Sequence, residues 1–273
     1  MNRRKPFTIM RKDTEVMRVD FDTLTYEVKN EAYLPYPIQG RLHDLPDPAG
    51  ITTRYDLTQS LLAARKNEEA VVSWLANRVL LLSRANAKWI YNLFLFEQTG
   101  TDEQRVKIAM TCRAVSVLDP YWLKFDDDKD ICWNSVDVRK NPLNEIVAQV
   151  ALHGKSLTLA GSPVTPELTT NGAYAKAWRR HPDGTLWLYK LGANGSTESR
   201  IEVMCSNLLD KMNVEHVHYE AGRDEDKYVC MCPCMTTEEK AVLTGMEFIS
   251  WCNVNGIDPE KRMFEIDAES IYK

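Results

Sequence analysis

The chain has 273 residues, of which 44% are hydrophobic, and a formal net charge of −5. This length is sufficient for two modest domains, each with its own core. The negative charge argues against a broad nucleic-acid-binding surface, which requires clustered Lys and Arg. No apolar run approaches the roughly 18 residues of a membrane span, and residues 1–10 lack the apolar segment of a secretory signal. The expectation is a cytoplasmic protein that contacts no membrane.

The first half of the chain predicts a small sheet followed by helices. Apolar patterning predicts two short strands, over residues 7–10 and 15–21. Prolines and glycines between residues 33 and 50 predict an irregular loop. An apolar stripe at helical spacing then predicts the first helix. Its members are Val71, Leu75, Val79 and Leu82.

Three more helices are predicted before residue 160. One covers residues 85–96. The next begins at Thr101, which has the spacing of a capping box with Gln104, and is terminated by Pro120. The last has Asn141 as its N-cap and ends at Gly154.

Beyond residue 160 the apolar period changes from helical to alternating. The pattern predicts the order strand, strand, helix, strand, strand. These elements cover residues 173–179, 185–191, 198–212, 217–219 and 227–231. The segment 220–226 between the last two strands is expected to be a polar turn.

The predicted fold class is therefore α+β, with three segments. Residues 1–160 form a mainly helical domain with a small sheet. Residues 161–250 form an antiparallel sheet plus one helix, the layout of a kinase N-terminal lobe. Residues 251–273 are the start of a further helix or a tail.

Two charged residues of the second segment suggest a site. Lys190 shares a strand face with Leu186 and Leu188, so its ammonium lies beside apolar surface and needs an anionic partner. Glu202 lies at the edge of the apolar stripe of the following helix and could turn toward the sheet. A lysine on a strand and a glutamate on a helix form such a pair in protein kinases. A solvated strand-end lysine and a glutamate that serves the helix dipole are the alternatives.

The loop before the first of these strands contains two hydroxyls, an amide and a glycine. They belong to Thr169, Thr170, Asn171 and Gly172. Backbone N–H groups of such a loop can wrap phosphate oxygens. A single glycine is equally compatible with an ordinary turn.

Several segments also carry a family resemblance. They are Asn141-Pro142-Leu143-Asn144-Glu145, residues 162–172, Lys176-Ala177-Trp178-Arg179-Arg180 and Leu188-Tyr189-Lys190, with Trp74, Arg78, Ser83-Arg84 and Asp119-Pro120-Tyr121-Trp122 upstream. They resemble short sequence segments that occur in the same order in HipA-like serine/threonine protein kinases of Gram-positive bacteria and their mobile elements. The resemblance covers most of the chain.

The resemblance implies a nucleotide site. It makes residues 169–173 the phosphate-facing loop, Lys190 the lysine that contacts nucleotide phosphates, and Glu202 its helix partner, with Glu198 as the rival. Adenine would pack beside a hinge near residues 232–237. Enzymes of this family transfer phosphate from ATP to serine or threonine in a protein.

Catalysis requires more than this lobe. A kinase also needs a catalytic Asp and magnesium-binding Asp and Asn side chains from a helical C-terminal lobe. After Glu238 the only aspartates are Asp258 and Asp267, and neither lies in such a motif. We therefore expect no catalytic residue, no cofactor and weak or absent ATP·Mg²⁺ binding for this chain alone. ATP and Mg²⁺ would bind only if a C-terminal lobe were supplied.

Three functions remain open from the sequence. The first is a non-catalytic, kinase-related module that binds or regulates a protein, in a toxin–antitoxin or phage-defence system. The second is a fragment or subunit of an ATP-dependent serine/threonine kinase whose catalytic lobe lies elsewhere. The third is an unrelated α+β binding module. The expected partner is another protein or a second copy, bound through apolar surface around Leu186, Leu188 and Met231, and direct nucleic-acid binding is not expected.

Metal binding is not predicted. The seven cysteines are an odd number at irregular spacing, which is typical of reduced thiols. Cys230, Cys232 and Cys234 could share a strand face, but they lack the second pair of a structural zinc site and are expected to be small buried hydrophobes. A metal pair is conceivable at His216 and His218, and solvent-facing strand histidines are the commoner case.

Overall fold

The computed structural model describes residues 5–46, 48–193, 196–242 and 245–260. Within these ranges the chain has the predicted α+β fold, with seven α-helices and two antiparallel sheets. No helix there has the length and apolarity that crossing a membrane demands. The chain divides into two compact units. One comprises the described parts of Met1–Trp74, Lys124–Lys129 and Val242–Lys273, and the other those of Leu75–Leu123 and Asp130–Ala241.

The first sheet has the strand order β3-β2-β1-β4. Its strands are β1 (Phe7–Arg11), β2 (Thr14–Asp20), β3 (Thr25–Val28) and β4 (Tyr121–Phe125). Phe7 is fully buried, and its ring meets Phe21 and Phe125 edge-on at centroid distances of 5.8 and 6.4 Å. The two strands expected from the sequence are present. Strands β3 and β4 are additional, and the ring of Phe125 shows why the distant β4 segment belongs to this core.

Five helices precede the second sheet. They are α1 (Arg54–Asn77), α2 (Ala87–Leu93), α3 (Asp102–Thr111), α4 (Trp133–Val136) and α5 (Glu145–His153). Helix α1 ends before Val79 and Leu82, so the predicted stripe runs beyond the helix. The N–H of Leu80 donates to the Leu168 carbonyl at 2.9 Å instead of continuing the helical pattern.

The start of α3 agrees with the prediction, whereas its end does not. The Thr101 side chain caps the helix by accepting a hydrogen bond from the N–H of Gln104. The helix stops at Thr111, well before Pro120. Arg113 and Ala114 both have positive φ, and the N–H of Ala114 reaches back to the Ala109 carbonyl at 2.6 Å. This left-handed turn ends the helix, so Pro120 does not terminate it.

Helix α5 is capped by Asn144 and not by Asn141. The Asn144 side chain accepts from the N–H of Val147 at 3.3 Å. The Asn141 amide instead donates to the carbonyls of the preceding turn. Gly154, with φ of +68°, ends the helix as predicted.

The second sheet and its helix confirm the order strand, strand, helix, strand, strand. The elements are β5 (Lys176–Arg180), β6 (Leu186–Lys190), α6 (Thr197–Lys211), β7 (Glu220–Asp224) and β8 (Lys227–Pro233), and the sheet order is β5-β6-β8-β7. The prediction for residues 217–226 is wrong, because β7 lies in the segment expected to be a turn. Its sequence, Glu-Ala-Gly-Arg-Asp, is polar, and the strand forms by backbone pairing with β8 at the sheet edge.

The register of the second sheet separates residues that we expected on one surface. Leu188 pairs with Cys232, whereas Met231 pairs with Tyr189. Since side chains alternate along a strand, Leu186 and Leu188 share one face and Met231 lies on the other. Leu186 is also buried. The expected apolar surface around these three residues is therefore not a single face.

Helix α6 turns its polar side toward the protein. Ser199 and Ser206 are buried, each 2% exposed. The apolar residues point outward and are about half exposed or more. They are Ile201, Met204, Leu208 and Met212.

The sequence-based boundary at residue 160 lies inside the second unit. Helix α5 packs on β5 and is also tied to β7, because His153 Nε2 lies 2.5 Å from Asp224 Oδ1 and Arg179 bridges Asp224 and Glu145. Helix α7 (Gly245–Val254) begins before residue 251 and belongs to the first unit. Most of the expected segment 251–273, from residue 261 onward, lies outside the described residues.

Candidate anion-binding site

Lys190, at the end of β6, is the centre of the site. Its Nζ donates hydrogen bonds to Glu202 Oε2 on α6 at 3.1 Å and to the Tyr219 hydroxyl at 2.6 Å. The predicted contact between Lys190 and Glu202 is thus present. The rival, Glu198, lies against Gly192 instead. The Lys190 side chain remains 17% exposed.

The local contacts keep Lys190 charged. Burial acts to lower the pKa of Lys190, but the hydrogen bond to Tyr219 and the negative charge of Glu202 outweigh it and raise the pKa above its usual value. Cys230 donates its thiol hydrogen to Glu202 Oε2 at 3.0 Å. Burial, with the carboxylate beside it, raises the pKa of Cys230 to about 12. The thiol therefore stays protonated, as its role of donor requires.

A second lysine lies next to Lys190. Lys176 on β5 is directly opposite Lys190 in the strand register and is only 7% exposed. Its Nζ donates to the neutral carbonyl of Asn171 at 2.8 Å. Burial lowers the pKa of Lys176 to about 8, and the charges of Arg84 and Lys190 act in the same direction. The two lysine side chains leave the same face of neighbouring strands, and their positive charges together attract anions.

Arg84 holds the segment that leads into Lys176. The buried guanidinium donates to three carbonyls, those of Glu167 at 2.9 Å, Thr170 at 3.1 Å and Lys176 at 2.6 Å. Burial lowers the pKa of Arg84 to about 10, so it remains charged at neutral pH. The two ends and the middle of residues 167–176 are thus fixed by one side chain.

Glu167, whose backbone carbonyl accepts from Arg84, also has a buried carboxyl. Its side chain is fully buried and accepts hydrogen bonds from the N–H of Trp178 at 2.9 Å and from the Thr165 hydroxyl. Burial raises the pKa of Glu167, while these donors and the charge of Arg84 oppose the shift. The buried Arg84 and Glu167 therefore form the polar core beneath the loop.

The two threonines of the predicted phosphate loop have structural roles. Thr169 is buried, and its hydroxyl donates to the Val115 carbonyl at 2.8 Å. The Thr170 hydroxyl donates to the Pro166 carbonyl at 2.6 Å and accepts from Trp178 Nε1 at 2.8 Å. Both hydroxyls are thus engaged within the protein, and the expectation that backbone N–H groups of this loop wrap phosphate oxygens stays a prediction.

Asn171 and Gly172 lie directly over Lys176. Asn171 contributes its carbonyl to the Lys176 ammonium. Gly172 has φ of +105°, and a Cβ at this position would come within 2.2 Å of Lys176 Nζ. The backbone conformation therefore favours glycine here, and a side chain at this position would displace the end of Lys176.

Of the three neighbouring cysteines, two belong to this sheet face. Cys230 and Cys232 alternate on β8 and are buried, as expected for small hydrophobes, whereas Cys234 lies just beyond the strand and is partly exposed. Cys230 has the additional contact with Glu202. These thiols are part of the packing behind Lys190.

Comparison of the chain with protein-family models, with curated proteins and with solved structures finds no match.

Proposed function

We propose that the second unit binds the phosphates of a nucleotide, in the manner of the N-terminal lobe of a HipA-like kinase. The observation that carries the proposal is the pair of neighbouring lysines. Lys190 is fixed by Glu202 and Tyr219, and Lys176 lies opposite it. Such fixed cations complement the clustered negative charge of a polyphosphate.

The chemistry of Lys190 is suited to this role. An ammonium group has three protons, and Glu202 and Tyr219 accept two of them. A phosphate oxygen would take the third and would also lower the cost of burying the Lys176 charge. Phosphate transfer would require the Asp and Asn side chains of a helical lobe. The proposed role of these residues is therefore binding, with affinity in the millimolar range, about −4 kcal/mol.

Replacement of Lys190 by methionine tests the proposal. We expect ATP or inorganic tripolyphosphate, titrated at low ionic strength, to shift amide resonances of β5, β6 and residues 169–173 of the wild-type chain. K190M should weaken this binding about tenfold, the equivalent of one charge-assisted hydrogen bond of about 1.4 kcal/mol. Nuclear magnetic resonance titration measures both the affinity and its location.

The matched control is Lys211→Met, which removes an exposed lysine from the last turn of α6. This variant should bind ATP with wild-type affinity. Equal binding by K190M and the wild type, or shifts confined to other parts of the chain, would contradict the proposal. Circular dichroism of each variant establishes that the fold is retained.

A second candidate function, binding of a protein, is favoured by the outer face of α6. Ile201, Met204, Leu208 and Met212 form an exposed apolar row at helical spacing. Contiguous apolar patches on soluble proteins usually mark interaction sites. The simplest occupant is a second copy of the chain, because two identical helix faces can pair about a twofold axis.

Self-association through α6 is therefore expected. The wild-type chain should show a concentration-dependent increase in mass by light scattering, because pairing removes this apolar row from water. Leu208→Glu should shift the chain to a monomer by placing a charge in the apolar contact. Leu95→Glu, at an apolar residue that is 92% exposed and lies elsewhere, is the control and should leave the mass unchanged. A strictly monomeric wild-type chain at millimolar concentration would exclude this pairing.

A further inference from the structure

Three side chains converge at the C-terminal end of α6, away from the lysines. Asp210 is on the helix, and His216 and His218 lie on the segment between α6 and β7. One ligand atom of each lies within 4.8 Å of the other two. The carboxylate of Asp210 is 3.1 Å from His218 Nδ1 and 3.7 Å from His216 Nε2. A tetrahedral ion with bonds of about 2.0–2.1 Å holds its ligand atoms roughly 3.3 Å apart. The two measured contacts use different carboxylate oxygens, Oδ2 toward His218 and Oδ1 toward His216, so a small rotation of the carboxylate would bring the set to this spacing.

The orientation of His216 is set by the backbone. Its Nδ1 lies 2.8 Å from the Val214 carbonyl, which can only accept a hydrogen bond. The proton of a neutral His216 ring is therefore on Nδ1, and the lone pair of Nε2 points into the cluster. A histidine ring whose second nitrogen donates to a carbonyl is the usual arrangement of a metal ligand.

Ser206 supports the same cluster from the buried side of α6. Its Oγ lies 2.8 Å from His216 Nε2 and 3.5 Å from His218 Nδ1, and it accepts the N–H of Tyr219 at 2.9 Å. Ser206 is itself 2% exposed. The Ser206 hydroxyl thus positions His216 most closely, and its contact with the half-exposed His218 is longer.

We propose that Asp210, His216 and His218 form a binding site for a divalent transition-metal ion, with Zn²⁺ as the best-suited ion. Two imidazole nitrogens and one carboxylate oxygen are common zinc ligands. Three protein ligands leave a fourth position for water. The site is separate from the proposed phosphate site and does not depend on it.

Bound Zn²⁺ would join the end of α6 to the segment that leads into β7. That segment ends at Tyr219, whose hydroxyl accepts the hydrogen bond of Lys190. The ion would therefore fix the anchor of the lysine, and it would stabilise the second unit by mass action, because the unfolded chain lacks the assembled site.

The test is a titration of the full chain with Zn²⁺, followed by calorimetry and by competition with a chromophoric chelator. We expect one ion per chain and a raised melting temperature. His216→Ala, His218→Ala and Asp210→Asn should each weaken binding at least as much as the roughly 10–100-fold that loss of an outer-shell partner costs. Asp210 is on the surface, so D210N tests the site with little risk to the fold.

His43→Ala, at an exposed histidine of the first unit, is the matched control and should bind Zn²⁺ like the wild type. Co²⁺ identifies the ligands, because thiolate ligation adds an intense ultraviolet charge-transfer band that nitrogen and oxygen ligands lack. Unchanged zinc affinity in all three ligand variants would overturn the proposal. A thiolate band in the Co²⁺ complex would also overturn it, since the ion would then be held by the cysteines.

Discussion

Replacing Arg84 with methionine should lower the free energy of unfolding by about 3–5 kcal/mol, because a buried polar group left without its hydrogen-bond partner costs about 1–3 kcal/mol and several are affected. The change leaves three carbonyls, those of Glu167, Thr170 and Lys176, without the guanidinium donor. It also leaves the fully buried Glu167 carboxyl without its nearest positive charge. Urea unfolding at pH 7, followed by circular dichroism, measures the loss.

The pH dependence of this loss has a defined sign. Without Arg84 the pKa of Glu167, already raised by burial, should rise further. Suppose folding raises the pKa of a carboxyl. Below the pKa of the unfolded chain the group then does not destabilise the fold, and it destabilises the fold increasingly as the pH rises from that value toward the pKa of the folded chain. R84M should therefore lower the free energy of unfolding less at pH 4 than at pH 7.

Two controls separate this network from a general effect of arginine removal. Arg84→Lys keeps a charge but not the planar set of donors, so it should recover only part of the stability. Arg200→Met removes an exposed arginine that lies 4.8 Å from the ring centroid of Tyr228 and should cost no more than about 1 kcal/mol. Equal losses for R84M and R200M would contradict the structural role of Arg84.

Local patterns in the sequence predicted the elements better than they predicted the contacts between them. Capping and turn residues predicted the N-cap at Thr101 and the helix end at Gly154. The spacing of apolar residues predicted the order strand, strand, helix, strand, strand. Strand β7 could not be found in this way, because Glu220–Asp224 has no apolar pattern and forms only by pairing with β8. The ends of α1 and α3 were missed because tertiary hydrogen bonds and a left-handed turn decide them.

The residues of the candidate site were likewise only partly predictable from local patterns. Lys190 and Glu202 could be paired from a strand face and a helix position, and the structure brings them together. Lys176 could have been found, since a hairpin with its turn at residues 181–185 pairs positions 176 and 190. The contacts of Tyr219 and Arg84 could not be predicted. Tyr219 was expected on a strand but lies in an irregular segment, and Arg84, part of the resembling segment Ser83-Arg84, acts through carbonyls far along the chain.

The outer face of α6 shows why an amphipathic pattern alone does not identify the buried side. Ile201, Leu208 and Met212 have helical spacing, yet they are exposed. The inner side carries Ser199, whose hydroxyl donates to the Lys190 carbonyl at 3.2 Å, and Glu202, which pairs with its ammonium. The polar demands of Lys190 therefore determine which side of the helix faces the sheet.

Replacing Lys176 with methionine should stabilise the protein by about 1–2 kcal/mol at pH 7. The pKa of Lys176 falls from 10.5 to about 8, so at neutral pH the fold bears the cost of a buried ammonium. Loss of the hydrogen bond to the Asn171 carbonyl offsets part of the gain. Methionine has a similar length and no charge. Urea unfolding of both chains at several pH values measures the difference.

The direction in which the stabilisation by K176M changes with pH follows from the lowered pKa of Lys176. The unfolded chain binds the Lys176 proton more tightly than the folded chain. The buried ammonium therefore lowers the free energy of unfolding by its full amount below pH 8, and by less as the pH rises from about 8 toward 10.5. The advantage of K176M should therefore shrink between pH 8 and pH 10. Lys211→Met, an exposed control, should stay within about 0.5 kcal/mol of the wild type at every pH. A K176M chain that is less stable than the wild type at pH 7 would contradict the assignment.

The same variant connects stability with the proposed function. If Lys176 contributes to phosphate binding, K176M should be more stable and should bind ATP or tripolyphosphate more weakly than the wild type. A buried charge that destabilises a fold is often kept because activity depends on it. Greater stability with undiminished phosphate binding would assign the site to Lys190 alone. Greater stability with weaker binding would make the lysine pair, joined across β5 and β6, the unit that recognises phosphate.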